Sequence, residues 1–436
     1  MNEERQAQLT LELHRPLATD DLMERIVERD NLKQAWHRVK SNQGAAGIDG
    51  RDMVETIKHL NDNIHDIKRE LLEGRYIPQA VRGVKIPKPT GGERQLGIPT
   101  VKDRWIQQAI LQVLSPLFEA GFSESSYGFR PGRSAHMALK QARIYVQAGK
   151  SLVVDIDLEK FFDNVNHDRL MNRLAGKIAD KRLLKLIRDY LRAGLMQDGV
   201  CVTREKGTPQ GGPLSPLLSN IVLDELDKEL EARGHPFCRY ADDCNIYVKS
   251  VEAGKRVLAS LKVFLADKLK LKVNDDKSAV ALVSERKFLG YRLTNQCKLG
   301  VSRESQERFK KRIRAITKRN RGRSLDQILK ELAPYLRGWL QYYRLSEAPS
   351  LFRDNDQWIR RRLRCYWLKQ KKRGRTIAAG LIKLGVREQE AYKLAGSSKG
   401  WWRLSLNPAI SSALSNAWFK EAGLYDLSEN YRLLKT

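Results

Sequence analysis

The stretch "SLVVDIDL", residues 151–158, limits the fold more than any other part of the chain. In a strand, successive side chains point to opposite faces. Leu152, Val154, Ile156 and Leu158 then make one apolar face that must enter a core, while Asp155 and Asp157 share the other face. A second stretch, "FCRYADDCNIYV" at 237–248, reads as a hairpin with Asp242 and Asp243 side by side at its tip. A two-residue turn normally takes Asn-Gly, Asp-Gly or a glycine at its centre. Here Ala241 and Asp242, or Asp242 and Asp243, must do that work. Adjacent like charges repel, and a local rule broken without visible gain marks a functional site.

The compensation that suits such a pair is a divalent cation. Mg²⁺ takes hard oxygen ligands, commonly one or two carboxylates plus substrate phosphates. Asp157, or Asp155 beside it, is available as the third carboxylate. Two ions about 4 Å apart can activate an attacking hydroxyl and stabilise the leaving oxygens of an in-line phosphoryl displacement.

Acids chosen for metal would stand out against the rest of the chain. Its 436 residues carry 80 Lys and Arg against 52 Asp and Glu, a formal net charge of +28. Such an excess points to a polyanionic partner, nucleic acid before an acidic membrane surface. No apolar run approaches the roughly 18 residues of a spanning helix. The polar start "MNEERQAQLT" lacks a signal-peptide core, and the five scattered cysteines form no C-x-x-C pair. The expectation is a cytoplasmic protein, nucleoid-associated and without a membrane partner.

The cations are concentrated in two acid-free runs. "RFKKRIRAITKRNRGR" at 308–323 has nine Lys or Arg in sixteen residues, with Phe309, Ile313 and Ile316 at helical spacing. "WIRRRLRCYWLKQKKRGR" at 358–375 has nine in eighteen, interleaved with Trp358, Tyr366 and Trp367. Solvated helix faces normally mix signs. These runs therefore read as phosphate-tracking surfaces, with Lys310, Lys311, Arg312, Arg360, Arg361 and Arg362 as the nucleic-acid contacts. Between them, Pro334 predicts the end of one helix and the start of another.

The first 300 residues alternate short apolar strands with helices, which is α+β or α/β character. "GTPQGGPLSPLLSNIVLDELDKEL", 207–230, opens as a Gly/Pro loop. Ser215 is expected to cap a helix started by Pro216, with Leu218, Val222, Leu226 and Leu230 along one face.

Together these segments resemble a family. "YADD" at 240–243, "DIDLEKFFDNVNHDRL" at 155–170, "GTPQGGPLSPLLSN" at 207–220, "YGFRPGRSAH" at 127–136, "IPKPTGGERQLGIPT" at 86–100 and "FLGYRL" at 288–293 match reverse-transcriptase motifs. They stand in the family's order. "YLRGWLQYYRL" and "WIRRRLR", within 335–364, resemble a maturase thumb, and "SNQGAAGIDG" at 41–50 an N-terminal extension. The whole is similar to bacterial group II intron reverse transcriptase/maturases of the class C type.

The resemblance implies an α+β right-hand polymerase. An N-terminal extension and the start of the fingers would fill 1–80, the fingers 81–150, the palm 151–297, the thumb or maturase domain 298–375, and a DNA-binding segment 376–436. Asp157, Asp242 and Asp243 become the catalytic metal ligands for two Mg²⁺ ions, which Mn²⁺ can replace. In the family an aromatic residue five positions after the first catalytic Asp excludes a ribose 2′-hydroxyl. From Asp157 that residue is Phe162, whereas from Asp155 it is Lys160. Asp155 is then an acid supporting the site from outside the ligand set. Lys88, Arg94, Phe162 and Gln210 would bind the incoming dNTP, and His167 would start a helix. The implied partners are group II intron RNA, an RNA template with a DNA primer, target DNA and dNTPs. From Asn407 onward there is no Cys or His for the H-N-H nuclease found in many relatives, so no second-strand cleavage is expected. Two rival readings share these motifs: a splicing maturase with little polymerase activity, and a reverse transcriptase domesticated for defence or DNA repair.

Overall fold

A computed structural model describes residues 19–87, 91–197, 200–202, 206–208 and 211–435. Lys88 and Gln210 lie outside these residues, and the Arg94 side chain is likewise not described. The chain divides into two compact units, 1–281 and 282–436.

The first unit holds two four-stranded sheets. Its strands in chain order are β1 (Val81–Pro87), β2 (Glu93–Ile98), β3 (Leu152–Ile156), β4 (Leu195–Gln197), β5 (Val200–Val202), β6 (Phe237–Tyr240), β7 (Asp243–Val248) and β8 (Ala279–Leu282). One sheet has the order β2-β1-β4-β5 and the other β6-β7-β3-β8. Strand and helix are interspersed throughout, the α+β arrangement that the sequence predicts. In the second sheet β3 runs antiparallel to β7 with Leu152 opposite Val248 and Ile156 opposite Cys244.

The even-numbered side of β3 is buried as its pattern requires. Leu152, Val154 and Ile156 join a core with Leu218, Val222, Leu226 and Leu230 of the helix Ser215–Ala232. The odd-numbered side is covered over half its length. Val153 and Tyr247 are buried there, and Cys238 on the same face donates to the carbonyl of Ala138 in the helix Ala135–Gln147. The end of the sheet carrying Asp155 and Asp157 is half-open. The helix Val101–Glu119 runs through the middle of the unit, with eight consecutive residues, Asp103 to Ile110, buried. The Asp103 carboxylate accepts from the Tyr76 and Thr100 hydroxyls, which fixes the helix start against its neighbours.

One expected cap is absent. The helix Ser215–Ala232 has Leu214 as its N-cap and no side-chain cap bond. Ser215 is already the first helical residue, and its carbonyl accepts from the Ser219 hydroxyl. Pro216 needs no capped N–H, so the helix starts without one.

The second compact unit starts at Leu282. "FLGYRL" belongs with the helices. Strand β9 (Tyr291–Leu293) pairs with β10 (Leu299–Val301), and Tyr291 packs against Tyr342 and Tyr343. The main helices are Arg303–Ile316, Leu325–Tyr343 and Pro349–Lys371, followed by short helices to Leu433. Pro334 does not end a helix: Leu325–Tyr343 runs straight through it. Pro334 and Lys330 lie on the exposed face, where water can satisfy the carbonyl that proline leaves unpaired. The buried stripe of Leu329, Leu332, Leu336 and Leu340 is continuous across it, and tertiary packing overrides the local penalty.

Candidate active site

β6 and β7 form the hairpin, with Tyr240 opposite Asp243. The two turn residues are therefore Ala241 and Asp242. Ala241 sits at φ 58°, the left-handed region that normally falls to glycine. A non-glycine residue there costs about 1–2 kcal/mol, so the surroundings must hold it.

They do so through a side chain that the sequence reading passed over. Arg239 precedes the turn and is fully buried. Its Nε and Nη2 donate to the two carboxylate oxygens of Asp227 at 2.7 and 2.5 Å. Nη2 also donates to the Ser126 hydroxyl, and Nη1 to Asn220 Oδ1 and to the Ala241 carbonyl, both at 2.9 Å. The Asn220 amide in turn donates to the Gly128 carbonyl. Gly128 lies flat on the turn: a Cβ added there would stand 2.2 Å from the Ala241 nitrogen. The signal was present in "FCRYADD", where a charged residue occupies the core-facing position opposite Cys244.

Asp157 follows the last pair of β3 and β7 by one residue, which puts it at the strand end beside Asp243. Its backbone is pinned on both sides. Its N–H donates to the Ser278 hydroxyl and its carbonyl accepts from the Asn274 N–H. Alternation puts Asp155, Asp157, Asp243 and Asn245 on one face, with Asp155 opposite Asn245, beyond the Ile156–Cys244 pair from the strand end. Asp157 and Asp242 are half-buried and Asp243 is exposed. The Lys277 ammonium lies 3.6 Å from one Asp157 oxygen.

Among the described residues, no three acid, His or Cys side chains converge closely enough to hold an ion as they stand. The donor set nevertheless fits a hard divalent ion. It consists of three carboxylates at one end of one sheet, two on neighbouring strand ends and one in the turn between strands.

The same unit holds a cleft of about 490 Å³, lined among others by Phe162, Gly211, Gly212, Leu96, Arg104 and Gly44. Phe162 is half-buried and reaches it, whereas Lys160 is exposed on the surface. The Gly/Pro loop is tied to this segment by backbone bonds from Gly207 to Val165 and from Thr208 to Phe162. His167 opens the helix His167–Ala175, as expected, and does more. Its Nε2 lies 2.6 Å from the Gly207 carbonyl, so that nitrogen carries the proton. Burial holds its imidazole below the usual histidine range. Arg94 stands opposite Ile86 in the β1–β2 hairpin.

The two basic runs turn out differently. On Arg303–Ile316 the stripe of Phe309, Ile313 and Ile316 is buried, as its spacing predicts. Lys311 and Arg312 are exposed and Lys310 is partly exposed. The run at 358–375, in contrast, is internal over 358–368 and exposed over most of 369–375. Arg360 is buried and pairs with Asp426 at 3.0 Å. Arg361 stacks 3.8 Å over the Trp402 ring and donates to its carbonyl. Arg362 lies over Trp358 and donates to the buried Thr317 hydroxyl. These three arginines join the helix Pro349–Lys371 to its neighbours and do not form an open cationic face. Of the aromatic residues in the run, Trp358 stacks with Arg362 and Trp367 lies under Lys371.

Comparison with known proteins identifies the family. Residues 86–293 match the reverse transcriptase (RNA-dependent DNA polymerase) family model. Residues 306–380 match the group II intron maturase-specific domain. The chain is 33% identical over 313 residues to protein YkfC of Escherichia coli K12, covering 62% of this chain and 82% of that protein. It is 31% identical to the group II intron-encoded protein LtrA of Lactococcus lactis, covering 59% of this chain and 54% of LtrA. A solved partial Cas6-RT-Cas1–Cas2 complex superposes over 57% of this chain and 43% of its own, with 26% identity and a TM-score of 0.37, too loosely to argue from. No described helix is long and apolar enough to cross a membrane. With both domains matched in order and most of YkfC covered, the chain belongs to the group II intron reverse transcriptase/maturase family.

Proposed function

We propose that this chain copies an RNA template into DNA from a DNA primer at Asp157, Asp242 and Asp243, and that it binds a group II intron RNA to assist splicing and insertion into target DNA. The observation that carries this reading is the meeting of the Asp157 strand end with the Asp243 strand end; Phe162, close after Asp157 in the chain, lines a cleft. When bound, a Mg²⁺ pair, replaceable by Mn²⁺, would activate the primer hydroxyl and offset charge on the departing diphosphate. The chain's own residues position the reactants. The carboxylates supply hard oxygen donors, the Gly/Pro loop presents its backbone, and Phe162 presents a flat wall to the sugar. Lys88, Arg94 and Gln210 complete the nucleotide contacts in this reading. We assign the β6-β7-β3-β8 sheet to the palm within 151–297, residues 81–150 to the fingers, the helices of 298–375 to the thumb, and 376–436 to target DNA. Extension of a DNA primer on an RNA template, with dNTPs and Mg²⁺, tests the reading. No extension by the wild-type chain would overturn it.

Two expected outcomes follow from particular residues. Phe162→Ala removes the wall and makes room for a 2′-hydroxyl. Ribonucleotide use relative to deoxyribonucleotide use should rise by about 10-fold or more, the range for a steric pocket contact. An unchanged ratio in single-nucleotide extension would move the gate elsewhere.

Intron RNA binding should be steeply salt-dependent. If roughly 6–10 phosphates are neutralised, affinity falls by about 10³–10⁵ between 50 and 200 mM salt. Neutralising Lys310, Lys311 and Arg312 together should reduce the log–log slope by about two to three. Filter binding across a salt series reads this directly, and an unchanged slope would remove the helix Arg303–Ile316 from the RNA surface.

A further inference from the structure

We infer that Arg239 is a positioning residue for the carboxylates of the turn, acting through the Ala241 carbonyl. The inference rests on the polymerase reading above. A guanidinium has five N–H donors in a fixed fork. Here all five are used by buried partners: two on Asp227, one on Ser126, one on Asn220 and one on Ala241. Those partners come from three separate places. Asp227 and Asn220 lie on the helix Ser215–Ala232, Ser126 lies in the loop before Gly128, and Ala241 is the turn itself. One planar group thus sets the position of a helix and a loop relative to the residue whose left-handed backbone presents Asp242 and Asp243.

The backbone of the same strand reinforces the arrangement. Arg239 donates its N–H to the Ser125 carbonyl, and its own carbonyl accepts from Tyr127. Gly128 then closes against Ala241 with no room for a side chain. Arg239 lies on the core face and does not itself reach the open face that carries Asp155 and Asp157. Any effect on nucleotide transfer must pass through the turn.

Stability alone does not call for this arrangement. Both members of the Arg239–Asp227 pair are fully buried, and replacing such a pair by apolar residues of similar volume is often neutral or stabilising. What an apolar pair cannot supply is the directed bond to the Ala241 carbonyl. Displacing a reacting geometry by even about 1 Å can cost on the order of 10²-fold in rate.

The test is the double variant Arg239→Met with Asp227→Leu. It should fold and bind primer–template equally well, melting somewhat below the wild type because Ser126, Asn220 and Ala241 lose their donor. Its maximal extension rate should fall by about 10²-fold, and the Mg²⁺ concentration giving half of that rate should rise. Mn²⁺ binding, followed by electron paramagnetic resonance, should weaken in parallel. The metal readouts distinguish positioning from a purely structural role. Gly128→Ala is the companion. It keeps the buried pair and pushes directly on the turn, so it should reproduce the raised metal requirement. Wild-type rate and metal affinity in either folded variant would overturn the proposal. Collapse of both variants would do so too, because it would assign the network to stability. Wild-type and Asp243→Asn chains run alongside keep the two readings apart. If the wild type fails to extend a primer, the polymerase reading fails, while Mn²⁺ binding still decides the role of Arg239.

Discussion

Asp242→Asn and Asp243→Asn should each abolish primer extension while leaving RNA binding and melting temperature close to wild type. Each removes one carboxylate charge from the strand-end group and changes nothing in the core. Charge stabilisation by a metal site is worth several kcal/mol. About 4 kcal/mol corresponds to roughly a 10³-fold loss of rate. Asp157→Asn should do the same, although its backbone anchors to Ser278 and Asn274 remain. Asp155→Asn is the informative contrast. It lies opposite Asn245, deeper in the sheet beyond the Ile156–Cys244 pair, and should retain most of the activity. Primer extension and filter binding on the same preparations read both quantities. Full extension by the Asp242 or Asp243 variant would remove that residue from the site. An Asp155 variant as dead as Asp157 would reopen the choice between them.

The largest stability effect should come from Arg360, Arg361 and Arg362. Replacing all three by alanine breaks the pair with Asp426, the stack on Trp402 and the bond to Thr317. Asp426 would then be left beside Asp356, whose carboxyl is already pushed up to about 7, chiefly by burial. Removing one member of a buried pair destabilises by about 3–5 kcal/mol. Asp426 keeps some exposure, so about 3 kcal/mol is the reasonable figure here. For a unit of this size that lowers the melting temperature by about 6–12 °C. Splicing and polymerisation should then decline together. Neutralising Lys310, Lys311 and Arg312 should do the reverse, weakening RNA binding at an unchanged melting temperature. Calorimetry on the two triple variants separates the cases. An arginine triple variant that melts like the wild type but no longer binds RNA would return that run to the surface.

The contrast between the two runs marks how far the sequence could be read. On Arg303–Ile316 the apolar residues keep a strict helical spacing, so the burial of Phe309, Ile313 and Ile316 was legible. The run at 358–375 also has nine Lys or Arg, but on Pro349–Lys371 apolar and aromatic residues occupy every side of the helix. A guanidinium can be buried when its stem packs and its donors reach carbonyls, and composition does not report whether they do. That Asp155, Asp157 and Asp243 share one sheet face was legible because strand alternation has an unambiguous period of two, but alternation alone does not choose between Asp155 and Asp157. Arg239 lay in the same hairpin and was missed, since its partners are distant in sequence, Ser126 by 113 residues. Pro334 misled for a related reason. The rule for proline is local, whereas the stripe that carries the helix across it is set by packing.

That distance in sequence also has a kinetic side. The hairpin β6–β7 can close on its own within microseconds, as local pairs do. Its working turn cannot form so early. Ala241 needs Arg239, which needs Asp227 and Asn220 from the preceding helix and Ser126 from more than a hundred residues upstream. Closing loops of that length is an entropic step that only later contacts reward. A nascent or partly folded chain therefore carries the YADD sequence before it carries the site. Competence to catalyse should arrive with the last cooperative step of folding of the first unit, so a refolding time course would show activity lagging behind secondary structure.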